Sequence, residues 1–144
     1  MTNKTLSGLG AEFGVSIADS FKKRAVYFHN MDCLEYLSAD QLVVADRVDE
    51  FLTVLWDKDL EKIVGFKLKG FHAIFVERIL PLKSVCEDDF HPIIDTLKNI
   101  VTKIGEEMFP DSSRQNAYKN VIRFAKNEGV DSTFDEKEVL QAVA

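Results

Sequence analysis

The sequence predicts an α+β fold: a four- to five-stranded, mainly antiparallel meander sheet with about three C-terminal helices packed on one face. Three observations predict it. Between residues 25 and 70 apolar and polar residues alternate with a period of two. After residue 84 the apolar residues recur at steps of three or four. The loops between the strand-like runs are very short, so neighbouring strands should be antiparallel. At 144 residues the chain fits one domain with a real core. Within it, residues 1–24 form an N-terminal packing segment, 25–80 the sheet and 84–144 the helical half.

Residues 1–24 place Leu6, Leu9, Phe13, Ile17 and Phe21 on one face of a helix. Gly8, Gly10 and Gly14 weaken that helix by ~1 kcal/mol each, so its order should come from packing on the main body. Strands follow at "AVYF", "CLEYLS", "QLVVAD", "EFLTVLW" and "IVGFKLKG". In the last of these, Val64, Phe66 and Leu68 point one way and Lys67 and Lys69 the other. "FHAIFVERILPL" reads as a strand or as a short helix ended by Pro81.

Ile93, Ile94, Leu97, Ile100, Val101, Ile104 and Met108 make the cleanest helical stripe. Pro92 fits only the first turn, so this helix should begin near Asp88 or Asp89 and stop before Pro110. Ser112 and Gln115 have capping-box spacing ahead of the stripe Tyr118, Val121, Ile122 and Ala125, and Gly129 is a natural C-cap. Thr133 and Glu136 repeat the box for a last helix carrying Val139, Leu140 and Val143.

Bulk composition narrows the function. The chain is 46% hydrophobic and 29% charged, with a net charge of −6 and a pI of about 5.1. An acidic chain lacks the electrostatic footprint for gripping phosphates over its whole surface, which disfavours nucleic acid. Cys33 and Cys86 are the only cysteines, which suits a reducing cytosol better than a disulfide framework. No apolar run reaches the ~20 residues of a membrane span, and the N-terminus carries no signal-peptide pattern. The expected location is cytoplasmic.

The residues that carry chemistry elsewhere read here as structural. Asp57, Asp59 and Glu61 alternate as calcium ligands do, yet the sixth and twelfth positions of such a loop hold Lys62 and Leu68. "WDKDLEK" therefore reads as a hairpin turn. His29 and Cys33 have the residue types for a thiol nucleophile with its base, but Cys33 opens a strand, where burial is the default. A zinc site needs four ligands in paired spacings, and the two cysteines stand far apart. His91 follows Glu87, Asp88 and Asp89, which have the look of capping residues at a helix start. His72 has no partner in sequence. Lys119, Arg123 and Lys126, with Arg114 nearby, line one helix face and read as a solvated surface. No cofactor and no metal is expected.

"VYFHNMDCLEYLS" followed by "DEFLTVLWDKDLEKIVGFKL" resembles a small bacterial family of uncharacterised domains. The matching residues are Tyr27, Asp32, Leu34, Leu37, Ser38, Asp57, Ile63, Val64 and Gly65, within roughly residues 26–70. The family's turn carries a glycine before the Ile-Val-Gly, where this chain has "DKDLEK". The resemblance implies a small antiparallel sheet and no chemistry. The chain also has the look of a protein carried on a mobile cassette or phage.

One pattern points to association. In "EFLTVLW", Phe51 and Leu55 face one way and Leu52, Val54 and Trp56 the other, so both faces of a central strand need cover. The helices can hide one; the N-terminal segment or a second subunit must hide the other. The leading expectation is a non-enzymatic interaction module, a homodimer with Phe51, Leu52, Val54 and Trp56 at its interface. The alternatives are a small-molecule or nucleic-acid binding module with a cleft between sheet and helices, and an enzyme of unrecognised class using His29 or His91.

Overall fold

The computed structural model describes residues 21, 23–85, 90–107 and 112–141. Residues 1–20 and 22 of the N-terminal segment, Cys86, the acidic run 87–89, Met108, Pro110 and Val143 lie outside the described residues. Five strands, β1 (Val26–Phe28), β2 (Cys33–Leu37), β3 (Val44–Arg47), β4 (Leu52–Trp56) and β5 (Ile63–Lys69), form one sheet. Every pairing in it is antiparallel. The helices follow: α1 (Phe71–Ile74), α2 (Pro92–Glu107), α3 (Ser112–Glu128) and α4 (Glu136–Gln141). Among the described residues no helix is long and apolar enough to cross a membrane.

The strand order is β1-β2-β5-β4-β3, which corrects the expected meander at one step. Sequential pairing holds for β1–β2 and for β3–β4–β5, but β2 pairs with β5 and not with β3. The physical reason lies in the side chains. Leu34, Tyr36, Phe66 and Leu68 are fully buried, whereas all four residues of β3 are exposed. The apolar strand takes the middle and "VADR" goes to the edge, where charged side chains are tolerated.

Register fixes which residues face the helices. Leu34, Leu68 and Leu52 lie in one row, and Tyr36, Phe66 and Val54 in the next. All six belong to the core that the helices complete with Phe75, Ile93, Leu97, Tyr118 and Val121. The other face carries the row Glu35, Lys67 and Thr53, with a 3.5 Å ion pair between the first two. A bulge at Leu55–Trp56 corrects the expected alternation at the start of β5. Ile63 pairs with Trp56 and packs on the core; Val64 is buried but stands outside that cluster. Next to it, a Cβ on Gly65 would run into the Tyr36 carbonyl oxygen on β2, so only glycine lets these backbones approach.

Segment 71–84, ambiguous in sequence, is helical throughout but changes pitch. After α1 comes a π turn (Phe75–Ile79), then a 3₁₀ turn (Leu80–Ser84). The Leu80 amide donates to the Phe75 carbonyl, five residues back. Pro81 explains the widening, because its ring crowds the carbonyl four residues earlier and it has no N–H to give. Phe71, Phe75 and Ile79 still share the buried side. Phe134 packs edge-on against the first two, at ring-centre distances of 5.6 and 5.9 Å.

Two helix starts differ from expectation. Residues 90 and 91 are not helical, so α2 begins at Pro92 itself. Its Ile93 amide is capped from a distance by Asp131 Oδ1, at 2.6 Å. At α4 the cap is Asp135, whose Oδ1 accepts the Lys137 amide at 3.0 Å. Thr133 instead accepts the Ala25 amide at 2.9 Å and ties the helical half to β1. Gly129 ends α3 in the left-handed region, at φ 63°, as a C-cap requires.

Candidate functional site

Asp49 sits between β3 and β4, and its turn would otherwise leave two strand amides unpaired. Its Oδ1 accepts the N–H groups of Phe51 and Leu52, both at 2.8 Å. Tyr118 on α3 donates its hydroxyl to Oδ2 at 2.8 Å, and Arg114, one turn earlier, brings Nε to 3.3 Å. The Asp49 side chain is 1% exposed, so a buried carboxylate is matched here by four donors, one of them cationic. Burial first, then the bond to Asp49, pushes the Tyr118 hydroxyl pKa up, so it remains a donor. Arg114 is thereby held in place and does not join Lys119, Arg123 and Lys126, which are exposed.

Arg114 lines a cleft of about 330 Å³ between the β3–β4 turn, segment 71–84, α2 and α3. Its apolar lining is Phe51, Ala73, Ile74 and Ile100. Its polar lining is Glu50, Glu77, Arg78, Asn99 and Lys103 beside Arg114. Ala73 and Glu77, and Ile74 and Arg78, are four residues apart, so one face of the segment supplies all four. The π turn brings successive side chains closer in angle than an α-helix does, which lets both Glu77 and Arg78 reach the same hollow.

A second, more open hollow of about 410 Å³ lies at the other end of α3, lined by His91, Lys98, Lys126 and Asp131. Asp131 Oδ2 is buried with no hydrogen-bond partner, and His91 Nδ1 stands 3.8 Å away. Burial raises the Asp131 pKa, and the Ile93 amide opposes that rise.

The residues singled out in sequence are placed as follows. His29 is exposed in the β1–β2 turn. Cys33 is buried, with its thiol pKa pushed up by burial, which makes it a poor nucleophile. Among the described residues no group of three or more His, Cys, Asp or Glu side chains could hold a metal ion. Asp57 closes the β4–β5 turn by accepting the Glu61 amide at 2.8 Å, and Leu60 there takes the left-handed φ of 59° that glycine adopts freely. Asp32, at φ 47°, accepts the Tyr27 hydroxyl and the His72 amide on one oxygen, both at 2.8 Å. That carboxylate ties the β1–β2 turn to the start of α1.

Of the four expected interface residues, Leu52 is 0% and Val54 2% exposed, within the chain's own core. Phe51 and Trp56 are half-buried and pack against that core. Leu52, Val54 and Trp56 share the face that the helices occupy, so a partner meeting that face would have to displace them.

A cleft between sheet and helices was an expected alternative, but its lining residues were not found in sequence because its walls come from four separated elements. One local signal existed: Arg114 and Tyr118 are four apart, which puts Arg114 on the stripe of the buried face. Comparison with protein-family models, with curated proteins and with solved structures finds no match to this chain.

Proposed function

We propose that this chain is a non-enzymatic binding module that takes a small molecule in the cleft between segment 71–84, α2 and α3. One observation carries the reading. An apolar lining and convergent groups of both charges meet in one hollow, with Arg114 fixed by the buried Asp49. Ligand sites combine these features, and about 330 Å³ is at the small end of their range. The positions of Cys33, buried, and of His29, exposed in a turn, support binding over nucleophilic catalysis.

The test is a ligand-observed NMR fragment screen on the wild type and on Ala73→Trp. Ala73 is exposed on the cleft wall, so an indole there should fill the hollow without disturbing the core. Hits on the wild type that vanish in the variant, at unchanged melting temperature, are the expected result. Hits that persist in the variant, or no hits, remove the reading.

A second reading, self-association as a homodimer, is favoured by β3. Among the described residues this strand pairs only with β4, and its outer edge can add a strand from a second copy. Light scattering at micromolar concentration reads the mass directly, and a monomer ends this reading.

A further inference from the structure

The two edges of the sheet are finished differently. At the β1 edge the Ala25 amide is taken by Thr133 Oγ1, and α4 packs beside the strand. At the β3 edge all four residues are exposed, and among the described residues no strand pairs with the outer side. The ladder fixes which groups are open there. The Val48 amide donates to the Leu52 carbonyl at 2.9 Å, and directions alternate along a strand. Val44 and Asp46 therefore turn their N–H and C=O groups to β4, and Val43, Ala45 and Arg47 turn theirs outward.

The side chains along this edge change character from one end to the other. Val44 lies in one row with Trp56 and Ile63, on the face that the helices share. Trp56 and Ile63 pack against the core, whereas Val44 at the end of the row is 39% exposed. Asp46 and Arg47 then place one charge of each sign on opposite faces. When two such edges meet about a two-fold axis, the residue at the axis faces itself. An axis at Asp46 or Arg47 sets like charges face to face, which is destabilising. An axis at Ala45 sets each Asp46 against an apolar Val44. An axis at Val44 sets valine against valine, and Val44, Trp56 and Ile63 of both copies then form one apolar row. In that register the outward groups of Val43 and Ala45 find partners in each other across the axis.

We propose that two copies of this chain join β3 to β3 about an axis at Val44, so that one antiparallel sheet runs through both. This assignment rests on the self-association reading and is independent of the cleft. It differs from the interface expected in sequence, because the partner extends the row of Trp56 at its open end and leaves the helices in place.

Disulfide trapping on the full chain tests the axis, in a Cys86→Ser background with Cys33 left buried. Val44→Cys, Ala45→Cys and Asp46→Cys are oxidised separately at micromolar concentration. All three positions are exposed, so the variants should fold. Residues directly opposite in an antiparallel pair bring their Cβ atoms to ~4.5–5.5 Å, close to what a disulfide spans. Val44→Cys should therefore give a linked dimer in about tenfold higher yield than the other two. Ala45→Pro, which removes an outward N–H and leaves the bonds to β4 in place, should weaken the dimer about tenfold in light scattering. Better linking at residue 45 or 46 overturns the axis at Val44. A dimer that none of the three cysteines links, and that Ala45→Pro leaves intact, overturns the β3 edge while self-association stands. A monomeric wild type removes both.

Discussion

Asp49 and Asp131 are carboxylates withdrawn from water at opposite ends of α3, and the chain treats them in opposite ways. Asp49 is 1% exposed and has four donors on its two oxygens, including a guanidinium. Asp131 is 12% exposed, holds one helix amide on Oδ1 and leaves Oδ2 without a hydrogen-bond partner. The difference teaches what makes a buried charge tolerable. Desolvation is offset only when both oxygens are occupied, and the rise in the Asp131 pKa marks what is left over. Asp49 is a structural joint that strengthens the wall of the cleft. Asp131 is a helix cap bought with a partly unmet oxygen.

The largest expected effect breaks the better-satisfied site. Asp49→Ala strands the Tyr118 hydroxyl and the Phe51 and Leu52 amides and removes the nearer of two carboxylates that Arg114 meets. We expect a loss of about 3–5 kcal/mol in urea denaturation, as for breaking a buried ion pair. A loss below about 1 kcal/mol would mean that water replaces the carboxylate and the joint is not structural. Tyr118→Phe removes one donor and leaves Asp49 three, so the expected loss is smaller, about 1–2 kcal/mol. A double-mutant cycle between the two should show coupling.

Asp131 should behave differently. Asp131→Asn keeps an oxygen for the Ile93 amide and removes the unmet charge, so stability near pH 7 should change by less than about 1 kcal/mol, in either direction. For Asp131 the pH effect has a definite sign. The folded pKa of Asp131 lies above the ordinary 3.8, so between those two values the native state holds more protons than the unfolded chain. Its contribution to stability therefore falls as pH rises through that window and is constant above it. Urea midpoints from pH 4 to pH 7 should drop less steeply in Asp131→Asn than in the wild type. Equal slopes would refute the raised pKa. The smallest effect belongs to a carboxylate that stays in water. Asp57→Asn combined with Asp59→Asn should change stability by no more than ~0.5 kcal/mol, and added calcium should not alter melting.

The sheet was legible because its evidence is local. Alternation in "CLEYL" and "LTVLW" states which side chains share a face, and the structure keeps those pairings. Gly129 and the stripe on α3 are legible for the same reason. The failures share a cause as well. That β5 lies between β2 and β4, that Asp131 caps α2, and that Arg114 turns to Asp49 all depend on contacts between distant parts of the chain. Thr133 shows the limit in a single residue. It has capping-box spacing, but an amide of β1 claims its hydroxyl. The candidate cleft was the least legible feature, because neither Glu77 nor Arg78 says in sequence that a π turn will aim both at one hollow.

The strand order also sets a timetable. β3, β4 and β5 follow one another through short turns, so their ribbon closes at little entropic cost. β2 can join β5 only after the whole stretch 38–62 has been brought round. By loop-closure entropy, the seam between β2 and β5 is the expected late step of folding. It is also the seam at Gly65, where a methyl group would meet the backbone of the neighbouring strand. A side chain there would hold the protein at its last barrier, with one ribbon made and its neighbour unable to dock.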